Sequence, residues 1–145
     1  VAVGAKVRVA DVEEVVATTR QHSVFELLDA VGARNRGEAL RLLSGMLGAQ
    51  EPALRLLAML ARHVRQLWQA EDALSHGAGG PGEVASLLGL HPFVAGKLVD
   101  QARRLSRERI GRMHEAIFQT DRSLKLSKLD DLRVMEGLLL RLCAA

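Results

Sequence analysis

At 145 residues the chain is long enough to bury one hydrophobic core without disulfides or metals. Apolar residues make up 48% of it, but with three Phe, one Trp and no Tyr they are chiefly Leu, Ala and Val, so helix formers outnumber sheet formers and an all-α fold is expected. The formal net charge of +3 permits nucleic acid nearby without demanding it, the single Cys143 excludes an internal disulfide and fits a reducing compartment such as the cytoplasm, and no apolar run approaches the ~18 residues of a membrane span.

The chain starts at Val1 with no signal-peptide pattern, which reads as a piece of a longer polypeptide whose missing part lies on the N-terminal side. "VAVGAKVRV" alternates Val1, Val3, Val7 and Val9 with small or polar residues, the pattern of a short strand or extended arm, and "ADVEEVVAT" opens a brief helix. Capping chemistry then becomes regular. "SVFE" pairs Ser23 with Glu26 and "NRGE" pairs Asn35 with Glu38, while Gly32 and Gly48 are placed to end the two helices in the left-handed conformation. Pro52 presets the first turn of a third helix that runs to about Ser75 or His76, where "HGAGGPG" makes a flexible connector.

That third helix is the longest, and its apolar residues Ala53, Leu57, Leu60, Val64, Leu67 and Leu74 form a core-facing stripe that Leu54, Ala61 and Trp68 widen. The opposite face carries Arg55, Met59, Arg62, Gln66 and Gln69. Met59 is its one apolar member and is expected to be exposed, available to another subunit together with Arg55, Arg62 and Gln66. A short helix from Glu83, a corner at Gly89, a helix opened by Pro92, another after Ser106 and a last one after Asp130 or Asp131 complete a bundle of about seven helices with no internal repeat. In the last helix Leu132, Met135, Leu139 and Leu142 share one face and leave Val134, Leu138 and Leu140 for a second, as in a helix central to a bundle or pressed against a partner.

Chemistry is sparse. The five histidines stand far apart, with no HxxxH or Cys/His pairing to place two ligands on one helix face, so no metal site is expected. The glycine-rich stretch lacks the Lys-Ser/Thr of a phosphate loop, and Cys143 has no neighbouring His to activate it. No catalytic residue and no cofactor are expected in this fragment. The stretch from Ala85 through Gly89 into "HPFVAGKLVDQ" has the outline of a helix-turn-helix. Yet its second helix opens with Pro92, Phe93, Val94, Ala95 and Gly96, which cannot read base edges, and Lys97 is the lone cation. A structural corner is the preferred reading; a DNA-binding or regulatory helical domain is the alternative. The run Arg103, Arg104, Arg107, Arg109 and Arg112 is a candidate for DNA phosphates, set against a solvated helix end. On the following helix Ile110, Met113, Ile117 and Leu124 define an inward stripe that puts Asp121 at a core position. Such a carboxylate calls for Lys125 and a second donor, unless the helix has drifted off its stripe.

Several segments in order, "SVFELLDAV", "EPALRLLAMLARHVRQLWQ", "LGLHPFVAGKLVDQARRLS" and "TDRSLKLSKLDDLRVMEGLLLRL", resemble the C-terminal half of the delta subunit of bacterial DNA polymerase III, a component of the clamp loader. The resemblance covers residues 11 to about 142 and implies that residues 1–20 are the end of an AAA+-like helical lid and residues 21–145 a helical collar domain. It further implies a non-catalytic assembly role. The collar joins the clamp-loader ring with the delta prime and tau/gamma subunits, a preceding module opens the sliding clamp, and DNA is met in the assembled complex. Arg8 departs from the family pattern, which often has Thr there as a helix cap.

Overall fold

The computed structural model describes residues 8–49 and 52–145, with residues 13–19 as backbone only. Among these residues there are seven helices and no strand: α1 (Val9–Gly32), α2 (Arg36–Gly48), α3 (Ala53–Ser75), α4 (Pro81–Leu88), α5 (Pro92–Arg104), α6 (Arg107–Leu126) and α7 (Asp131–Ala144). The arm expected over Val1–Val7 lies outside the described residues, and Val9 belongs to α1.

α1 corrects the expectation of two helices meeting near Ser23. It runs unbroken for 24 residues, started at Arg8, whose backbone N–H donates to the Asp11 carboxylate at 3.0 Å. No Pro or Gly interrupts Val9–Val31, and Glu26 turns to His22 Nε2, one turn back at 2.6 Å, instead of capping Ser23. The boundary drawn at residues 20 and 21 therefore falls inside a continuous helix. At its end the left-handed residue is Arg34 (φ +57°), not Gly32, and Gly48 closes α2 without positive φ. The Asn35 cap is present: its Oδ1 accepts from Glu38 N at 3.1 Å, while the Glu38 carboxylate takes Arg41.

α3 is the hub, packed against α5 and α6 along its length and touching α4, α1 and α7. Its inward stripe is Leu56, Leu57, Leu60, Val64, Leu67 and Ala70, each a core side chain. The register places Leu54, expected to widen the inward stripe, outside, puts Leu56, which the sequence reading did not assign, fully inside, and leaves Leu74 half-buried. Burying each Leu contributes about 1.5–3 kcal/mol, so this stripe accounts for much of the stability. Trp68 lies between the hub and α6. Arg107 stacks over its ring at 5.7 Å, and a Cβ at Gly111 would sit 3.3 Å from it, so a side chain there would require the ring to give by a few tenths of an ångström. Arg107 also reaches Glu71 at 3.0 Å.

The glycine stretch ends α3 as a helix cap: Ala78 N donates to Ala73 O at 3.0 Å across Gly77 at φ +99°. Gly89 (φ +66°) makes the corner between α4 and α5, closed by Leu90 N donating to Ala85 O. Val84, Ala85, Ala95, Leu98 and Val99 are all buried around that corner.

Candidate subunit interface

The interior holds two polar arrangements, both structural. His63 and Gln101 are buried, with His63 Nε2 donating to Gln101 Oε1 at 2.6 Å. Gln101 Nε2 in turn donates to Asp29 Oδ1 at 2.6 Å and to Phe25 O at 3.2 Å, which ties α3, α5 and α1 together. Because the Gln amide N–H bonds are spent on Asp29 and Phe25, its oxygen must accept, which places a proton on His63 Nε2. Burial pushes the His63 pKa down from its ordinary value, against the opposing pulls of Gln101 and Asp29.

Arg109 is the second arrangement. It is buried, and its guanidinium donates to Val31 O at 2.8 Å, which also accepts from Arg34 N, and to Gly32 O at 3.1 Å, both at the end of α1. Its Nε has no acceptor among the described residues. Arg34 does the same for α7, donating to Cys143 O at 2.7 Å. A cation at a helix C-terminus meets both the unpaired carbonyls and the negative end of the dipole. Neither role was visible in sequence, since the partners lie 78 and 109 residues apart. Burial raises the Cys143 thiol pKa, which keeps it protonated and unreactive.

The basic run is thus divided. Arg109 caps α1, Arg107 is held by Glu71, Asp72 and Trp68, and Arg103, Arg104 and Arg112 remain exposed. At the corner, Phe93 is exposed, and Lys97 lies over the Phe25 and Phe93 rings at 5.4 and 4.9 Å rather than projecting from a recognition surface.

The expected inward carboxylate is also corrected. Asp121 is half-exposed and accepts from Lys125 Nζ at 2.8 Å, so solvent removes the need for a second, buried donor. The polar residue at the inward position is its neighbour Thr120, fully buried, whose Oγ1 donates to Ala116 O and accepts from Arg141. In α7, Val134 and Leu138 are buried within their own chain and cannot face a partner, whereas Leu140 is exposed and Leu132, expected inside, is partly exposed. Both apolar faces of α7 are needed because α6 covers one and α2 the other.

What the surface does offer is apolar. A groove of about 220 Å³ runs between α3 and α6, lined by Leu54, Ala58, Ala61, Ile117 and Phe118 with Arg65 and Asp121 at its rim. Phe118 is 57% exposed and Leu54 47%. Further along, Leu126 is 76% exposed beside Gln119, Arg122, Ser123 and Ser127, and Leu129 on the connection to α7 is exposed. Of the α3 residues expected at an interface, Arg62 is exposed, Gln66 is half-buried, and Met59 is half-buried against the core instead of exposed. The groove is lined by positions 54, 58, 61 and 65, one residue before 55, 59, 62 and 66, which is ~100° round the helix. Phe118 was the missed signal: an aromatic just beside the Ile110, Met113, Ile117 stripe has no place in the core.

The chain is therefore an all-helical bundle built round one long helix, with an apolar surface groove. Among the described residues no cluster of three or more His, Cys, Asp or Glu is able to hold a metal, and no helix is long and apolar enough to cross a membrane. Residues 21–142 match the family described as DNA polymerase III delta subunit, C-terminal domain, and the chain belongs to that family. It is 30% identical over 132 residues to the DNA polymerase III subunit delta of Bacillus subtilis (strain 168), covering 91% of this chain and 38% of that protein. Its fold matches the solved structure of the Bacillus subtilis DNA clamp loader delta protein (YqeN) with a TM-score of 0.80 and 29% identity, over 94% of this chain and 40% of that one. The chain thus spans about two fifths of the length of these relatives.

Proposed function

We propose that the chain is the non-catalytic assembly domain by which a delta subunit takes its place in a clamp loader and so in the DNA polymerase III holoenzyme. The observation that carries this reading is the exposed apolar groove at Leu54 and Phe118, a surface whose burial by a neighbour is favourable. Arg55, Arg62, Gln66 and the flank of Met59, one position round α3 from the groove, form its margin in this reading, and the exposed Leu140 on α7 is a further contact in it. In this reading residues 1–20 end a preceding lid, residues 21–145 are the collar, and α1 runs across the boundary between them. The partners are the delta prime and tau/gamma subunits in the cytoplasm, with the sliding clamp engaged by the module that precedes this chain. Membership of the delta C-terminal family supports the reading.

The test is size-exclusion chromatography of the chain mixed with the other clamp-loader subunits of its own organism. Co-elution in a complex larger than any component is expected, lost in Leu54→Asp/Phe118→Asp. Elution of the chain alone, with no shift in the presence of the other subunits, would overturn the proposal.

A further inference from the structure

The groove between α3 and α6 has two unlike ends. The helices run antiparallel: Arg107 meets Glu71 at 3.0 Å, a Cβ on Gly111 would touch Trp68, and the His114 and Trp68 rings lie 6.4 Å apart, so α3 read backwards from Glu71 accompanies α6 read forwards from Arg107. Arg65 and His114 therefore stand at one end of the groove, and Leu54 and Asp121 at the other. From Leu54 to Arg65 the distance along α3 is about 16 Å, at ~1.5 Å per residue. Arg65 is exposed, and its side chain has no hydrogen bond or ion pair among the described residues. Asp121 gives one carboxylate oxygen, Oδ2, to Lys125 and keeps Oδ1 without a partner among them. Between these ends α3 contributes Ala58 and Ala61, small enough for another helix to approach closely, and α6 contributes Ile117 and Phe118.

We propose that this face pairs with itself, so that two copies of the chain associate through their α3–α6 grooves about a two-fold axis perpendicular to both helices. Such a face must be complementary to its own reversal. The spacing of positions 54, 58, 61 and 65, and of 114, 117, 118 and 121, is the same read in either direction, as on any helical face, so the residue types decide the fit. Reversal lays Ala58 on the second copy's Ala61, Ile117 on the second copy's Phe118, and the exposed Leu54 on the stem of the second copy's Arg65. Asp121 then faces the second copy's His114 with the second copy's Arg65 beside it, and the same pairs recur at the other end. A two-fold axis parallel to the helices would instead set Arg65 on the second copy's His114 and Asp121 on the second copy's Leu54, so no opposite charges would meet. This inference rests on the groove being a protein-docking face, as the assembly reading does. It adds that the free chain covers the groove with a second copy until a neighbouring subunit takes its place.

Sedimentation equilibrium of the 145-residue chain alone is the test. The average mass is expected to climb from 15.8 kDa and level off at twice that value as the concentration rises from roughly 10 μM to 1 mM, the range of a small, transient interface. Arg65→Asp and Asp121→Arg, each alone, set like charges against each other and should raise the dissociation constant about tenfold or more. Mixed in equal amounts the two variants should pair again, because each then offers the charge that the other lacks. Arg103→Asp, which does not line the groove, should change nothing, and far-UV circular dichroism verifies that the helices stay intact in every variant. A mass of 15.8 kDa at every concentration, a mass that grows past the dimer without levelling, single variants that pair as well as wild type, or a mixture that stays monomeric would each overturn the proposal. A chain that is monomeric alone but co-elutes with the other clamp-loader subunits would remove this proposal and leave the assembly reading standing; a dimer that forms no complex with those subunits would do the reverse.

Discussion

Three side chains show how much a single position depends on contacts remote in sequence. Arg109 reads as one member of a basic run, yet two charge-assisted hydrogen bonds to the end of α1 make it part of the core. Arg109→Met should lower the unfolding free energy by about 1–3 kcal/mol in a denaturant titration, whereas Arg103→Met, on the surface, should change it by less than ~0.5 kcal/mol. Asp121 has the opposite history. Its helical phase points inward, but the observed exposed pair with Lys125 is an i,i+4 contact of only ~0.2–0.5 kcal/mol. Asp121→Asn should therefore shift the denaturation midpoint barely at all, and a loss above ~1 kcal/mol would mean that a buried donor holds it after all. His63 sets a pH dependence. Its folded pKa lies below the ordinary 6.5, so the unfolded chain takes up a proton first as pH falls through that value. The stability it lends is complete above about pH 6.5 and declines below it, levelling off only once the folded pKa is passed. Unfolding titrations between pH 8 and 5 should show this decline, and its persistence unchanged in His63→Asn would assign it to other groups.

At the level of elements, what the sequence made legible was whatever is local. Helix starts at Asn35, Pro92 and Ser106, the corner at Gly89 and the end of α3 follow from capping and turn chemistry within a few residues, and each stands where that chemistry puts it. The break assigned at Ser23 failed because a capping box is only an option: with no Gly or Pro to stop it, a helix already propagating from Arg8 continues through Ser23. The stripe of α3 was right in period and wrong at its start, where Leu54 is exposed and the unassigned Leu56 is buried. Phase of that kind is set by the helices that pack on it, and a hydrophobic period alone does not contain it. The same limit put the face expected to be free on α3 one position away from the apolar groove and left Val134 and Leu138, which are buried in the bundle, on an expected outer face. Phe118→Asp, by contrast, lies on the exposed groove. It should leave the thermal midpoint within about 2 °C of wild type, as a surface change does, while abolishing association with neighbouring subunits.

For the molecule as a whole, composition and helix punctuation were enough for the all-α class, and the ordered segments were enough for the family, because both are distributed over many residues. The candidate site was not, because a groove between α3 and α6 joins residues 54–65 to residues 114–121. The bundle presents an apolar groove between α3 and α6, the face proposed for assembly. Hydrogen–deuterium exchange of the chain alone and in complex with the other clamp-loader subunits tests that proposal most directly. Slowed exchange on binding is predicted in residues 54–66 of α3 and 114–129 of α6 and its connection. Protection confined to the α4–α5 corner at residues 85–97, with the α3–α6 face unchanged, would contradict it.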